Sequence, residues 1–306
     1  MRPSYITLYE KGELKKRIKA LYKMMDPCLL CPRECGVHRM HGEIGYCGAS
    51  KKVKVASFNL HFGEEPPISG NKGSGTIFFS NCSLKCVYCQ NYPISQLGVG
   101  KEVTVNELAN MMLSLQKRGA HNINLVTATH YIPYVLTALN IAIKRGFLLP
   151  IVYNTSGFEK VEILKLLDGI IDIYLPDIKY SDREASKKYS FASNYPEINI
   201  KAIKEMFRQV GNLVMDETKI AKRGVLIRHL ILPNHQSQTE KSLKEIAKNI
   251  GNDIYISLMS QYFPANKAHK FPEINRKIKW SEYKETVDLL NKYGFNNGWL
   301  QHKNSK

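Results

Sequence analysis

The stretch TIFFSNCSLKCVYCQN, Thr76 to Asn91, decides how this chain is read. It opens as a short apolar run, Thr76–Ser80, with the β-branched and aromatic residues of a strand. It then enters a loop carrying Cys82, Cys86 and Cys89, spaced C-x3-C-x2-C. Three thiolates on one tight loop can wrap three corners of a [4Fe–4S] cubane and leave one iron without a protein ligand. The logic parallels a catalytic zinc site, whose open position admits substrate or water. A zinc ion with a distant fourth ligand is the competing reading of three cysteines alone. The placement of the loop directly after a strand favours the open cluster. Tyr88, just before the third cysteine, is placed to cover a cluster edge.

Outward from this loop the chain alternates. Further strands are expected at Ile123–Thr129, Pro150–Asn154, Ile170–Leu175, Val225–Leu232 and Ile254–Met259. Helical patterns lie between them, at Asn106–Arg118, Ile132–Arg145, Val161–Leu167, Ile198–Gln209 and Glu240–Asn249, with a last helix at Trp280–Tyr293. In the first of these, Leu108, Met111, Met112 and Leu115 recur at helical spacing and Gly119 is placed to end it. Six strands separated by helices imply a parallel α/β sheet of right-handed βαβ units, either open and doubly wound or barrel-like. In both, chemistry gathers beyond the C-terminal strand ends. Polar residues stand there in each case: Cys82; Thr127, Thr129 and His130; NTSG at 154–157; Asp177 and Lys179; Arg228 and His229; SQY at 260–262.

The first 70 residues differ. A helix over Glu13–Met25 is followed by a cysteine-rich, glycine-punctuated segment and by GEEPPISGNKGSG at 63–75. The sequence therefore reads as an N-terminal extension, 1–70, joined to a larger domain, 71–306. Within the extension Cys28, Cys31, Cys35 and Cys47 follow C-x2-C-x3-C-x11-C. That set reads as a four-thiolate metal site, either closed structural zinc or a second iron–sulfur cluster. Arg33, His38, Arg39 and His41 would partly offset the thiolate charge. Four plus three uses all seven cysteines.

With 43% hydrophobic and 23% charged residues, the chain has the composition of a globular protein with a substantial core. No apolar run approaches the roughly 18 residues of a membrane span. The N-terminus lacks the apolar core of a secretory signal, so a cytosolic, reducing setting is expected. There, seven cysteines point to metal ligation or catalysis rather than disulfides. The net charge of +17 admits a polyanionic partner such as RNA, but no dense Lys/Arg block interleaved with aromatics accompanies it. The favoured reading is a lysine-rich solvated surface.

The cysteine run with an aromatic before its last cysteine, together with GEEPPISG, GSGTIFFSNCSLKCVYCQNYPISQ and ISLMSQYFPA, resembles the radical S-adenosylmethionine enzymes. Within them it is similar to the pyruvate formate-lyase activating enzyme-like branch, in members with a cysteine-rich N-terminal extension. The resemblance implies a partial (β/α)6 TIM-like barrel. It also implies a [4Fe–4S] cluster on Cys82, Cys86 and Cys89 whose open iron is chelated by S-adenosylmethionine. Reductive cleavage would then give a 5′-deoxyadenosyl radical that abstracts hydrogen from a substrate, in this branch a protein or peptide. A flavodoxin- or ferredoxin-type protein would supply the electron.

The resemblance also assigns places around the cofactor. TATH, 127–130, stands where many members carry a Gly-Gly-Glu-like segment for the methionine ammonium. The glycines and glutamate are absent here, leaving the hydroxyls and carbonyls of Thr127 and Thr129, with His130 a ligand, proton donor or helix cap. Asn154 and Ser156 match a ribose-binding segment, and Asp177 and Lys179 match a fourth-strand Asp-x-Lys facing cofactor and substrate. Arg228, a charge within an apolar strand, needs a partner, and the cofactor is one candidate and a structural ion pair the other. His229 points to the opposite face in a regular strand. Substrate specificity is expected from Ser181–Asn194 and Phe263–Arg276. Two rival functions remain: radical modification of RNA, and a non-catalytic iron–sulfur or zinc scaffold.

Overall fold

The computed structural model describes residues 2–301. Two helices, α1 (Tyr5–Glu10) and α2 (Glu13–Lys23), precede β1 (Val53–His61), the short α3 (Pro66–Ser69), β2 (Ser74–Phe79), the short α4 (Tyr92–Ser95) and β3 (Lys101–Val103). Then come α5 (Val105–Lys117), β4 (Ile123–Val126), α6 (Ile132–Ile143), β5 (Ile151–Thr155), α7 (Val161–Leu167) and β6 (Ile173–Ile178). The remainder is α8 (Arg183–Ser190), α9 (Tyr195–Val210), β7 (Val214–Met215), β8 (Ala221–Leu230), α10 (Thr239–Asn249), β9 (Tyr255–Met259), α11 (Trp280–Lys292) and β10 (Gly298–Leu300). No helix among the described residues is long and apolar enough to cross a membrane.

The strands form one sheet in the order β10-β9-β8-β6-β5-β4-β2-β1-β3. From β2 to β10 every neighbour is parallel. The edges β3 and β10 do not meet, so the α/β sheet is a partial barrel rather than a closed one. The six parallel strands and seven helices expected from periodicity are all present, with ends shifted by a few residues.

Eight elements, α1, β1, α3, α4, β3, α8, β7 and β10, were not visible in the pattern. In β1 the register shifts between Val55 and Ser57, and this irregularity breaks the two-residue period. β3 and β10 are three residues each. α8, REASKKYS, is mostly polar, and the side chain of its N-cap Asp182 accepts from the Ala185 N–H.

Residues of the extension share the barrel's core. Tyr5, Leu14, Leu21, Cys28 and Cys47 pack in one buried cluster with Leu136, Leu139 and Leu164 of α6 and α7. The turn-rich segment after β1 folds under the N-terminal mouth of the barrel. Ile68 of α3 is buried against Val152, Ile173, Leu175 and Leu226, which register places on the inner face. Asn124 donates to Glu64 at 2.9 Å and Asn122 to the Ile68 carbonyl at 2.8 Å. The floor of the barrel is thus closed, and its open mouth lies at the C-terminal strand ends.

Candidate active site

The loop from β2 carries Cys82, Cys86 and Cys89 to that mouth. Two sulfurs accept hydrogen bonds, Cys82 from the Leu84 N–H (3.4 Å) and Cys86 from the Ser190 hydroxyl (3.1 Å), and the Cys89 sulfur lies 3.2 Å from the Ser95 hydroxyl. Burial pushes the Cys86 thiol up to about 12 despite Lys179, and raises the Cys82 thiol as well. Buried thiols of this kind become thiolates only beside a cation, and donors aimed at sulfur strengthen toward a thiolate. The chemistry of the set therefore fits a metal cluster.

Below the loop lies a nest of tyrosines. Tyr88 stands among Tyr180, Tyr189 and Tyr262, with ring centroids 5.8–6.5 Å away, and its hydroxyl accepts from Tyr180 at 2.7 Å. Val87 N–H donates to the Tyr189 carbonyl and Lys267 N–H to the Val87 carbonyl, both at 2.8 Å. The segments 181–194 and 263–276, expected to serve substrate choice, thus also brace the cysteine loop.

The inner face of the sheet places Asn154, Asp177 and Arg228 on adjoining strands. Asp177 pairs in register with Arg228, and Asn154 with Leu175. Lys179, one residue past β6, donates to Asp177 at 2.6 Å. Burial opposes its charge, but Asp177 and the Cys86 sulfur hold the ammonium above the usual lysine range. Tyr195 and Asn199 of α9 tie the ends of β5 and β6 together. The Tyr195 hydroxyl donates to the carbonyls of Ser156 or Asp177, and Asn199 to those of Asp177 and Gly157. Gly157 has φ +72°, and a Cβ there would meet Asn199 Nδ2 at 2.1 Å and the Asp177 carbonyl at 2.5 Å. Glycine is required by both conformation and space.

Arg228 has its partner within the protein. Its Nε and one terminal nitrogen donate to the two oxygens of Glu65, both at 2.8 Å, and it also pairs with Glu64. Burial alone would raise the Glu65 carboxyl; Arg228 overrides it and holds the group below the usual range. His229 does point the other way, bonded to the Ile178 carbonyl and the Thr239 hydroxyl, both at 2.8 Å.

The TATH segment divides. Thr127 is left-handed (φ 58°), its N–H donates to the Asn154 carbonyl, and its side chain is half-buried at the mouth. Thr129 is instead buried, and its hydroxyl donates to Glu159 at 2.6 Å. His130 is buried, with one ring nitrogen on the Ser80 carbonyl (2.8 Å) and the other without a partner. Burial drives its pKa down to about 3, so it is neutral and capable of neither charge pairing nor ready protonation.

Cys28, Cys31, Cys35 and Cys47 lie near one another, Gly45 standing between the Cys35 and Cys47 sulfurs. Burial pushes the Cys31 thiol up to about 12. Arg39 is 0% exposed and its guanidinium stands 4.0 Å from the Cys28 sulfur. His38 and His41 face outward to Asp26.

The residues that sequence reasoning missed are second-line supports: Glu64, Glu65, Ser95, Ser190, Tyr195, Asn199 and Glu159. The acidic pair before two prolines was the one visible signal, because an apolar strand holding Arg228 requires a buried anion somewhere.

Comparison with known proteins agrees with this geometry. The family model described as the Radical SAM superfamily matches residues 76–218. An uncharacterized protein of Methanocaldococcus jannaschii is 31% identical over 288 residues, covering 92% of this chain and 79% of that protein. A radical SAM methyltransferase from Sphaerobacter thermophilus superposes with a TM-score of 0.52 at 14% identity, over 76% of this chain and 67% of its own. The structure of HydG, a maturase of the [FeFe]-hydrogenase, superposes at 0.49 and 16% identity, over 72% and 50%. The chain belongs to the radical SAM superfamily and is a radical SAM enzyme. Membership implies a [4Fe–4S] cluster and S-adenosylmethionine.

Proposed function

We propose that the protein cleaves S-adenosylmethionine reductively and directs the resulting 5′-deoxyadenosyl radical to a hydrogen on a protein or peptide substrate, in the manner of the pyruvate formate-lyase activating enzymes. The observation that carries the reading is the triad Cys82, Cys86 and Cys89 on one loop at the open mouth, each sulfur with a hydrogen-bond donor or hydroxyl beside it. When bound there, a [4Fe–4S] cluster supplies the electron and the open iron that split the sulfonium.

The protein's own residues hold and orient. Lys179 sets a fixed positive charge beside Cys86, suited to the carboxylate of the methionine part. Asp177 neutralises part of that charge and faces a cationic group. Asn154 and Ser156 offer ribose partners, and Thr127 offers a hydroxyl at the mouth. Arg228 acts indirectly, because its donors are engaged by Glu64 and Glu65. The tyrosine nest keeps water from the inner side of the loop. An external flavodoxin- or ferredoxin-type donor delivers the electron. A second metal centre, zinc or iron–sulfur, occupies Cys28, Cys31, Cys35 and Cys47.

The test is anoxic reconstitution with iron and sulfide, reduction with dithionite, and chromatography of the S-adenosylmethionine products. The expected result is 5′-deoxyadenosine, abolished by Cys86→Ala, with deuterium transferred into it from a deuterated peptide substrate. No 5′-deoxyadenosine from protein with a verified cluster would reject the activity. Turnover without deuterium transfer from peptides, but with transfer from tRNA, would reject the substrate class.

A further inference from the structure

A serine hydroxyl joins the cysteine triad to the tyrosine nest. Ser190 closes α8, and its hydroxyl donates to the Cys86 sulfur at 3.1 Å. The same oxygen lies 2.8 Å from the Tyr180 hydroxyl, which lies 2.7 Å from that of Tyr88. Tyr88, Tyr180, Ser190 and Cys86 thus follow one another across three hydrogen-bonding gaps. Tyr180 and Ser190 are 0% exposed, Tyr88 4% and Cys86 8%. Among the described residues, the two phenol hydroxyls have no hydrogen-bond partner outside this chain. The other two sulfurs of the triad have simpler neighbours: a backbone N–H serves Cys82, and Ser95 lies beside Cys89.

Each hydroxyl carries one hydrogen and turns it to suit its neighbours. Three gaps take three hydrogens, and Tyr88, Tyr180 and Ser190 bring one each. Beside a metal-bound thiolate, which has no hydrogen of its own, only one arrangement fills every gap. Ser190 donates to sulfur, Tyr180 to Ser190, and Tyr88 to Tyr180. With Tyr180 turned to Tyr88 instead, the oxygens of Tyr180 and Ser190 face each other with no hydrogen between them. A Cys86 thiol would bring a fourth hydrogen to three gaps and leave one buried without an acceptor, which for a hydroxyl costs about 1–3 kcal/mol. The chain is therefore complete only toward a bound thiolate, and its dipoles then all point at one sulfur. Hydrogen bonds in such a row polarise and strengthen one another. Adding an electron makes a cluster and its thiolates more negative, so donors at sulfur favour the reduced form and raise the potential.

We propose that Tyr88, Tyr180 and Ser190 form a one-way hydrogen-bond chain that raises the reduction potential of the cluster held by Cys82, Cys86 and Cys89. The proposal rests on the reading of that triad as the cluster site. Ser190 touches a ligand of the cluster, and Tyr180 and Tyr88 are positioning residues that act through it. The chain makes the cluster easier to load from the external electron donor. It also ties the potential to packing, since Ser190 ends α8 and Tyr180 stands two residues beyond β6.

The experiment is an anoxic redox titration of the reconstituted full-length protein, read by electron paramagnetic resonance on the signal that changes when S-adenosylmethionine is added. Ser190→Ala should keep its iron and lower the reduction equilibrium constant about tenfold, the contribution of one charge-assisted hydrogen bond, or about 59 mV for one electron. Ser190→Thr, which keeps the hydroxyl, should recover most of that loss. Tyr180→Phe leaves the bond from Ser190 to sulfur in place but removes its support, so a fall of about twofold is expected. On the Ser190→Ala background the same Tyr180→Phe change should have no further effect, because the path to sulfur is already cut. A merely structural Tyr180 would shift both backgrounds equally, and that result overturns the chain. An unchanged or raised potential in iron-replete Ser190→Ala overturns the proposal and leaves the activity standing. Where Ser190→Ala fails to hold iron, Tyr180→Phe decides: an unchanged potential there overturns the chain as well. A parent protein with iron but no signal responsive to S-adenosylmethionine overturns the cluster reading itself, and the proposal with it.

Discussion

Replacing Arg228 with methionine tests the barrel's interior most directly. The arginine side chain is 14% exposed and those of Glu64 and Glu65 7% and 6%, so the three charges form a buried group. Arg228→Met keeps most of the volume and leaves two carboxylates buried without a cation. Breaking such a group costs about 3–5 kcal/mol at neutral pH. With an unfolding entropy near 2.1 cal/mol/K per residue over 306 residues, that is a fall in Tm of about 5–8 °C. The pH dependence has a definite sign. In the native protein Glu65 is held below its usual pKa, so its stabilising contribution is present above the unfolded value and is lost as pH falls through the folded one. In the variant both carboxyls are buried without a cation, their folded pKa values rise, and the variant loses stability as pH rises. The gap between the two proteins should therefore narrow from pH 8 to pH 5. Differential scanning calorimetry at both pH values measures it, with Glu64→Gln/Glu65→Gln on the Arg228→Met background expected to recover part of the loss. A variant within about 2 °C of the parent at pH 8, or a gap that widens on acidification, would refute the reasoning.

Three further outcomes are expected. Glu159 is 1% exposed, and burial raises its carboxyl to about 7. A raised acid weakens the fold as pH climbs from about 4.5 to 7, so Glu159→Gln should stabilise the protein by roughly 3 kcal/mol at pH 8 and flatten the profile, measured by urea unfolding. Gly157→Ala places a methyl group against Asn199 and the Asp177 carbonyl at a positive φ; a cost of about 1–3 kcal/mol, with weaker S-adenosylmethionine binding, should appear in unfolding and binding titrations. Lys179→Met removes the fixed charge beside Cys86; the potential of the reconstituted cluster should fall in a dithionite redox titration, and an unchanged potential would remove Lys179 from the cluster's surroundings.

The architecture was readable because its signals are local. The helix α7 is bounded in the structure as its periodicity bounds it, and the helix α5 stops where Gly119 takes φ +86°. β1 was hidden because a register shift within it scrambles the alternation on which strand reading depends. α8 was hidden because the face it buries, Ala185, Ser186, Tyr189 and Ser190, is mostly small or polar rather than apolar. At the site, the cysteine spacings exposed both sets of sulfurs, whereas TATH did not reveal that Thr129 is buried on Glu159 while Thr127 stays half-buried.

The sequence by itself determined the six parallel strands, the two cysteine sets and the polar residues at the strand ends, and left their order in the sheet to the structure. Each of these is a matter of spacing along one chain. Tertiary structure decided the pairings across it: Arg228 with Glu64 and Glu65, more than 160 residues away, and Arg33 with the carbonyls of the three-cysteine loop, about 50 residues away. The physical reason is that a buried charge requires a partner, but its chemistry does not say from which segment that partner comes. Only the folded sheet, with its floor plugged by residues 62–73 and its mouth ringed by cysteines, fixes the answer.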